Sequence, residues 1–139
     1  MLIDGAHNPD AAQSLAAFVK KYLADRKIIL ILGIMADKDI PGIMTPLLPL
    51  GSAVILTAPN YGRAASPAQL AEHARTLGFP GCLTVETIRE SLSRAKKLSS
   101  SMAPGGDGII LITGSFFTIG EAKELLGERP ILGDLREKL

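Results

Sequence analysis

A chain of 139 residues, 47% hydrophobic and 21% charged, suffices for one compact domain with a single core and is too short for two ordinary ones. The formal charge of +1, without a block of like charges, and an aromatic content of 4% without Trp exclude a nucleic-acid footprint, a polybasic membrane face and base-stacking platforms. A single cysteine, Cys82, excludes an internal disulfide and a Cys-built zinc site and fits a reducing cytosol, while acidic Asp4 and the lack of any apolar run near the ~20 residues of a bilayer span leave no signal peptide or membrane segment to expect.

In chain order, "MLID" (1–4) opens as a short strand. "HNPDA" then carries Asn8 as a helix N-cap and Pro9 at the first helical position, with Ala11, Leu15, Phe18, Val19 and Tyr22 following at helical spacing. "KIILIL" (27–32) is β-branched, nearly uncharged and closed by Gly33, the mark of a strand buried on both faces. "DIPGIMTPLLPL" (39–50), with Pro41, Pro46 and Pro49, holds only short or broken helical turns. "SAVILT" (52–57) repeats the buried-strand pattern, Ser66-Pro67 is a ready helix start, and Leu70, Ala71, Ala74 and Leu77 repeat the helical spacing. "GCLTV" (81–85) is a shorter strand before a helix on Ile88, Leu92, Ala95 and Leu98. "SSSMAPGGDG" (99–108) reads as a flexible loop, "GIILIT" (108–113) as the last strand, and Ile119, Ala122 and Leu126 as the face of a last helix. "ERPILGDLREKL" (128–139) fits an edge strand or a mobile tail equally.

Near-continuous apolar strands alternating with amphipathic helices predict an α/β fold. It is an open, Rossmann-like, mostly parallel sheet with helices on both faces and right-handed crossovers. Such a sheet gathers whatever follows its strands on one rim, where ligands bind. Asp4 and His7 follow the first strand, Lys38 the second, Arg63 the third and Ser115 the last.

Each has a plain reading beside a functional one. Asp4 can satisfy a local turn and His7 can be solvated, or both can serve an anion site at the helix start. Lys38, in "ADKD", belongs to a solvated turn or offers its ammonium to a carboxylate or phosphate. Arg63 is a surface cation or an anion clamp. Ser115 is a helix N-cap rather than a nucleophile, because no Gly-x-Ser-x-Gly context surrounds it. No phosphate loop of the Gly-x-x-x-x-Gly-Lys-Ser/Thr type occurs, and no carboxylate cluster suited to a pair of magnesium ions is visible.

"LIDGAHNPDA", "GIMADKD", "RAASPAQLAEHA" and "ITGSFFTIGEAK" resemble, in order and spacing, the C-terminal domain of the folylpolyglutamate synthase/dihydrofolate synthase branch of the Mur ligase superfamily. The resemblance runs over roughly residues 2–127. It implies that residues 1–139 form one domain of a larger enzyme, Met1 being an artificial or alternative start, and that the N-terminal ATPase domain carries the phosphate loop, most ligands of the magnesium ion and the pterin site. It further implies a cytoplasmic ligase that uses ATP to convert a folate or dihydropteroate carboxylate to an acyl phosphate, which the amino group of L-glutamate attacks. On this resemblance Asp4 and His7 face the nucleotide and the reacting phosphate, Lys38 and Ser115 belong to the glutamate site, and His7 and Lys38 are the catalytic candidates. The fragment alone is then expected to be inactive. The competing expectations are a stand-alone module for a nucleotide or phosphorylated metabolite, and a structural domain whose rim docks another protein.

Overall fold

In a computed structural model, which describes residues 1–102 and 108–127, the apolar runs form one five-stranded parallel sheet. The strands are β1 (Leu2–Ile3), β2 (Ile28–Leu32), β3 (Ala53–Leu56), β4 (Leu83–Thr84) and β5 (Ile109–Thr113), in the order β1-β5-β2-β3-β4. Every residue of β2 is buried, as its continuous β-branched and leucine pattern requires of a central strand. Register runs from Leu2 opposite Leu111, through Ile28 opposite Ile109 and Leu30 opposite Val54, to Ile55 opposite Leu83.

Alternation along the strands divides the core in two. Leu30, Leu32, Leu56 and Leu111 pack under α1 (Pro9–Tyr22), α2 (Ile40–Leu47) and α3 (Pro67–Thr76), whereas Ile29, Ile31, Ile55 and Ile112 pack under α4 (Ile88–Met102) and α5 (Phe116–Leu125). The open α/β architecture expected from the sequence is therefore the observed one. Three strand-to-strand connections advance over one face, and the fourth, through α4, returns over the other to insert β5 between β1 and β2.

The helices start where the sequence places their caps. Asn8 Oδ1 accepts from the Ala11 amide at 2.8 Å with Pro9 in the first turn, and Ser66 and Gln69 form a reciprocal capping box. Asp39 caps α2, which accommodates Pro46 in a helix only eight residues long before a 3-10 turn at Leu48–Leu50. Three sequence expectations need adjustment. Ser99–Met102 belong to α4 rather than to a loop, because the helix runs past its last buried apolar residue on a polar, serine-rich stretch. Phe18 and Tyr22 are 46% and 62% exposed: α1 seals the sheet through Ala12, Leu15, Ala16 and Val19, and the edge strand beside it is too short to cover its outer flank. Leu126 follows the end of α5 as its C-cap, 36% exposed. Residues 103–107 of the glycine-rich loop and the 128–139 segment lie outside the described residues.

Among the described residues no helix is long and apolar enough to cross a membrane. Cys82 is half-buried, its thiol donates to the Phe79 carbonyl at 3.5 Å, and burial pushes its pKa up.

Candidate functional site on the carboxyl rim of the sheet

The strand order creates a crevice on each side of β5. The loops after β1 and β2 lead to helices on one face, while the loop after β5 leads to α5 on the other, so the backbone diverges on both flanks of β5 at its carboxyl end. This is the topological switch point at which open α/β sheets take up ligands. The first strand's loop is tied to β5 by the Asp4 amide donating to Ile112 O at 3.1 Å, and the second strand's loop by the Gly33 amide donating to Thr113 O at 3.2 Å.

Asp4 and His7 stand on the β1 flank. Asp4 Oδ1 accepts the Ala6 amide at 2.9 Å, a local turn bond that leaves Oδ2 available. His7 Nδ1 lies 3.1 Å from Gly5 O. A carbonyl only accepts, so Nδ1 carries the proton, and Nε2 has no hydrogen-bond partner among the described residues. The imidazole also rests against Phe116, with ring centroids 4.8 Å apart, so its orientation is held from two sides.

Lys38 stands on the β2 flank, on a loop fixed along its length. Ala65 N donates to Ile34 O at 2.9 Å, and Ala36 N donates to Arg63 O at 2.8 Å. Asp39 closes the loop by capping α2. The Lys38 side chain is exposed and makes no ion pair of its own among the described residues. Arg63 is accounted for: its guanidinium donates to Asp37 Oδ2 at 2.7 Å and joins the β3–α3 loop to the β2–α2 loop.

That hydrogen bond holds the Asp37 carboxyl below its ordinary value of 3.8. Arg63→Ala should therefore raise the Asp37 pKa toward that value in a carboxyl-carbon NMR titration. Because both side chains are exposed, ~1 M salt, with a Debye length of about 3 Å, should shrink the shift in the unmutated protein. An Asp37 titration indifferent to the substitution would show the pair to be unpopulated in solution.

Ser115 begins α5 between the two flanks and is 3% exposed. Its Oγ accepts the Thr118 amide at 3.0 Å and lies 2.8 Å from Thr118 Oγ1. Thr118 Oγ1 in turn donates to Gly33 O at 2.9 Å. The Thr118 proton is thus spent on an acceptor-only carbonyl, and the Ser115 hydroxyl must be the donor in their mutual bond. One lone pair of Ser115 Oγ remains. The cap expected from the local pattern is present. The onward connection to Gly33 was not expected, and only the three-residue Ser-Thr spacing hints at it.

Two glycines make this junction possible. A Cβ on Gly33 would stand 2.7 Å from Thr118 Oγ1. Gly114 has φ +117°, and a Cβ there would run into the Gly33 carbonyl. Sequence reasoning also left Tyr61 unassigned; it stacks on Phe117 at 4.0 Å, and the neighbouring Asn60 amide donates to Glu121 Oε1 at 2.8 Å, docking the β3–α3 loop on α5. Among the described residues no group of three or more His, Cys, Asp or Glu side chains could hold a metal ion, so these residues alone do not fit a magnesium site.

Comparison with known proteins gives this rim a family. The model described as Mur ligase, glutamate ligase domain matches residues 1–116. The dihydrofolate synthase/folylpolyglutamate synthase of Mycobacterium tuberculosis is 32% identical over 94% of this chain and 28% of its own length. A folylpolyglutamate synthase structure from the same organism, complexed with ADP, superposes with a TM-score of 0.82 at 31% identity, over 92% of this chain and 30% of that one. A bifunctional folylpolyglutamate synthase/dihydrofolate synthase solved with Mn, AMPPNP and L-glutamate bound gives a TM-score of 0.74 at 27% identity, over 89% of this chain and 28% of that one. The chain thus spans less than a third of the length of these relatives, and within that span it belongs to the Mur ligase glutamate ligase domain family.

Proposed function

We propose that this chain is the C-terminal, glutamate-ligating domain of a cytoplasmic ATP-dependent amide ligase that adds L-glutamate to dihydropteroate or to reduced folates. The observation that supports this reading is the switch-point crevice around β5, with Asp4 and His7 on one flank, Lys38 on the other and Ser115 between them. Related proteins of this family have been solved with ADP, and with AMPPNP and L-glutamate. The phosphate loop and the ligands of a magnesium ion belong, in this reading, to a preceding ATPase domain of the same polypeptide.

Amide formation through an acyl phosphate asks for positioning and charge neutralisation more than for a protein nucleophile. The substrate carboxylate attacks the terminal phosphorus of ATP and ADP departs. The glutamate amine then attacks the acyl carbon, phosphate leaves, and the amine loses a proton. His7, with Nδ1–H held by Gly5 O, presents Nε2 to the transferring phosphate, and in its protonated form donates a charge-assisted hydrogen bond there. Asp4, an anion beside phosphates, suits the hydroxyl or amino groups of the nucleoside. Lys38 pairs with a carboxylate of the incoming glutamate, and the residual lone pair of Ser115 Oγ accepts from its amine.

The test is ligation of dihydropteroate and of tetrahydrofolate, dependent on ATP and glutamate, by the polypeptide that carries this chain and by residues 1–139 alone. Turnover by the long form with an inert short form is expected. Against one wall of its cleft ATP should bind only in the millimolar range, near ~−4 kcal/mol. Robust turnover by residues 1–139 would overturn the assignment as one domain of a larger ligase, and no glutamate-dependent product from the long form would overturn the ligase reading and favour a stand-alone nucleotide or phosphometabolite module.

A further inference from the structure

We infer that Thr118 is a positioning residue for the glutamate half of the reaction, coupling the two loops that carry Ser115 and Lys38. The inference rests on the function proposed above and assigns a role within it to a side chain that touches no substrate.

Thr118 is fully buried in the first turn of α5, yet its hydroxyl is engaged on both sides. It accepts the Ser115 proton and donates its own to Gly33 O, across 85 residues of sequence. Burial alone does not produce this. Thr57 and Thr113, equally buried where β3 and β5 end, have hydroxyls without a hydrogen-bond partner among the described residues. The same rim therefore contains buried threonines with and without a network, and the networked one joins the two loops on which the glutamate contacts were placed.

The relay has two effects. By accepting the hydrogen bond of the Ser115 O–H, Thr118 fixes the Ser115 hydroxyl rotor, so that the remaining lone pair of Oγ keeps one direction and toward a ligand Ser115 is an acceptor only. By donating to Gly33 O, it anchors the first residue of the loop that continues through Ile34 and Ala36, both tied to the β3–α3 loop, to Lys38. A hydroxyl at residue 118 therefore sets both the acceptor and the cation that the incoming amino acid would meet, while none of the relay's hydrogen bonds ends on Asp4 or His7.

The test uses Thr118→Val, which keeps the shape and removes the hydroxyl, against Thr118→Ser, which keeps the hydroxyl, in the polypeptide that carries this chain. Loss of one buried hydrogen-bond relay should raise the KM for glutamate about tenfold in T118V, with the KM for ATP unchanged to within about twofold. T118S should restore the glutamate KM. A residue that merely filled the core would lower stability without separating the two KM values. A glutamate KM in T118V equal to the unmutated one, or failure of T118S to restore it, overturns the inference. Should T118V not fold, Thr118→Cys, with only a weak S–H donor, replaces it, and a glutamate KM equal to that of T118S counts against the coupling. Hydrogen exchange supplies an arm that needs no substrate: peptides spanning residues 33–39 should exchange faster in T118V than in T118S. Equal exchange in the two variants refutes the coupling even if the polypeptide proves to have no ligase activity, an outcome that by itself would strike only the function proposed above.

Discussion

Gly114→Ala should destabilise the protein by about 3 kcal/mol or more, read as a shift in the midpoint of urea unfolding at unchanged slope. Two costs combine. A φ of +117° is a conformation that side-chain-bearing residues rarely adopt, and the added methyl group would be directed at the backbone of Gly33. The obstacle is a main-chain carbonyl rather than the end of a flexible side chain, so no rotamer change relieves it. Relief requires β5 and the β2 loop to part, which breaks the Gly33-to-Thr113 and Thr118-to-Gly33 hydrogen bonds. A loss below about 1 kcal/mol, the size of an ordinary surface or helix-cap change, would mean that the junction yields far more readily than its geometry states.

His7→Ala should do the opposite, sparing the fold and damaging the chemistry. In the polypeptide that carries this chain, kcat for glutamate ligation should fall about a hundredfold, the scale of removing one preorganised donor from a developing charge, while stability changes by no more than about 0.5 kcal/mol. The helix start does not depend on His7, because Asn8 and Pro9 supply it. The imidazole instead bonds to the carbonyl two residues back and lies against a phenylalanine that is itself 41% exposed. A chain that loses several kcal/mol while turning over normally would return His7 to the scaffold.

These two residues mark the limits of what could be read from the sequence. Ile28–Leu32 and Ile109–Thr113 were legible as strands because burial on both faces leaves an unbroken apolar run. Asn8, Ser66 and Ser115 were legible as caps because a cap bonds within three residues of itself. The gathering of Asp4, Lys38, Arg63 and Ser115 on one rim followed from parallel strands alone. Strand order was not legible, since no local pattern places the last strand between the first two, and so neither was the crevice on both sides of β5. Arg63 and Thr118 were opaque for the same reason: their partners, Asp37 and Gly33, lie 26 and 85 residues away. Phe18 and Tyr22 fit a helical stripe in sequence, but the width of the surface available to cover that stripe is set by the length of a different element, β1.

The insertion of β5 also sets the order in which this sheet can be completed. Among the described residues β1 pairs with no strand except β5, so β1 has no strand to join until β5 has been synthesised. Long-range pairing of this kind forms late and slowly. A chain broken off before Ile109 can pair β2, β3 and β4 with one another, yet it lacks the strand to which the Asp4 and Gly33 amides both tie their loops. Closing the sheet across β1, β5 and β2 therefore waits on the synthesis of β5.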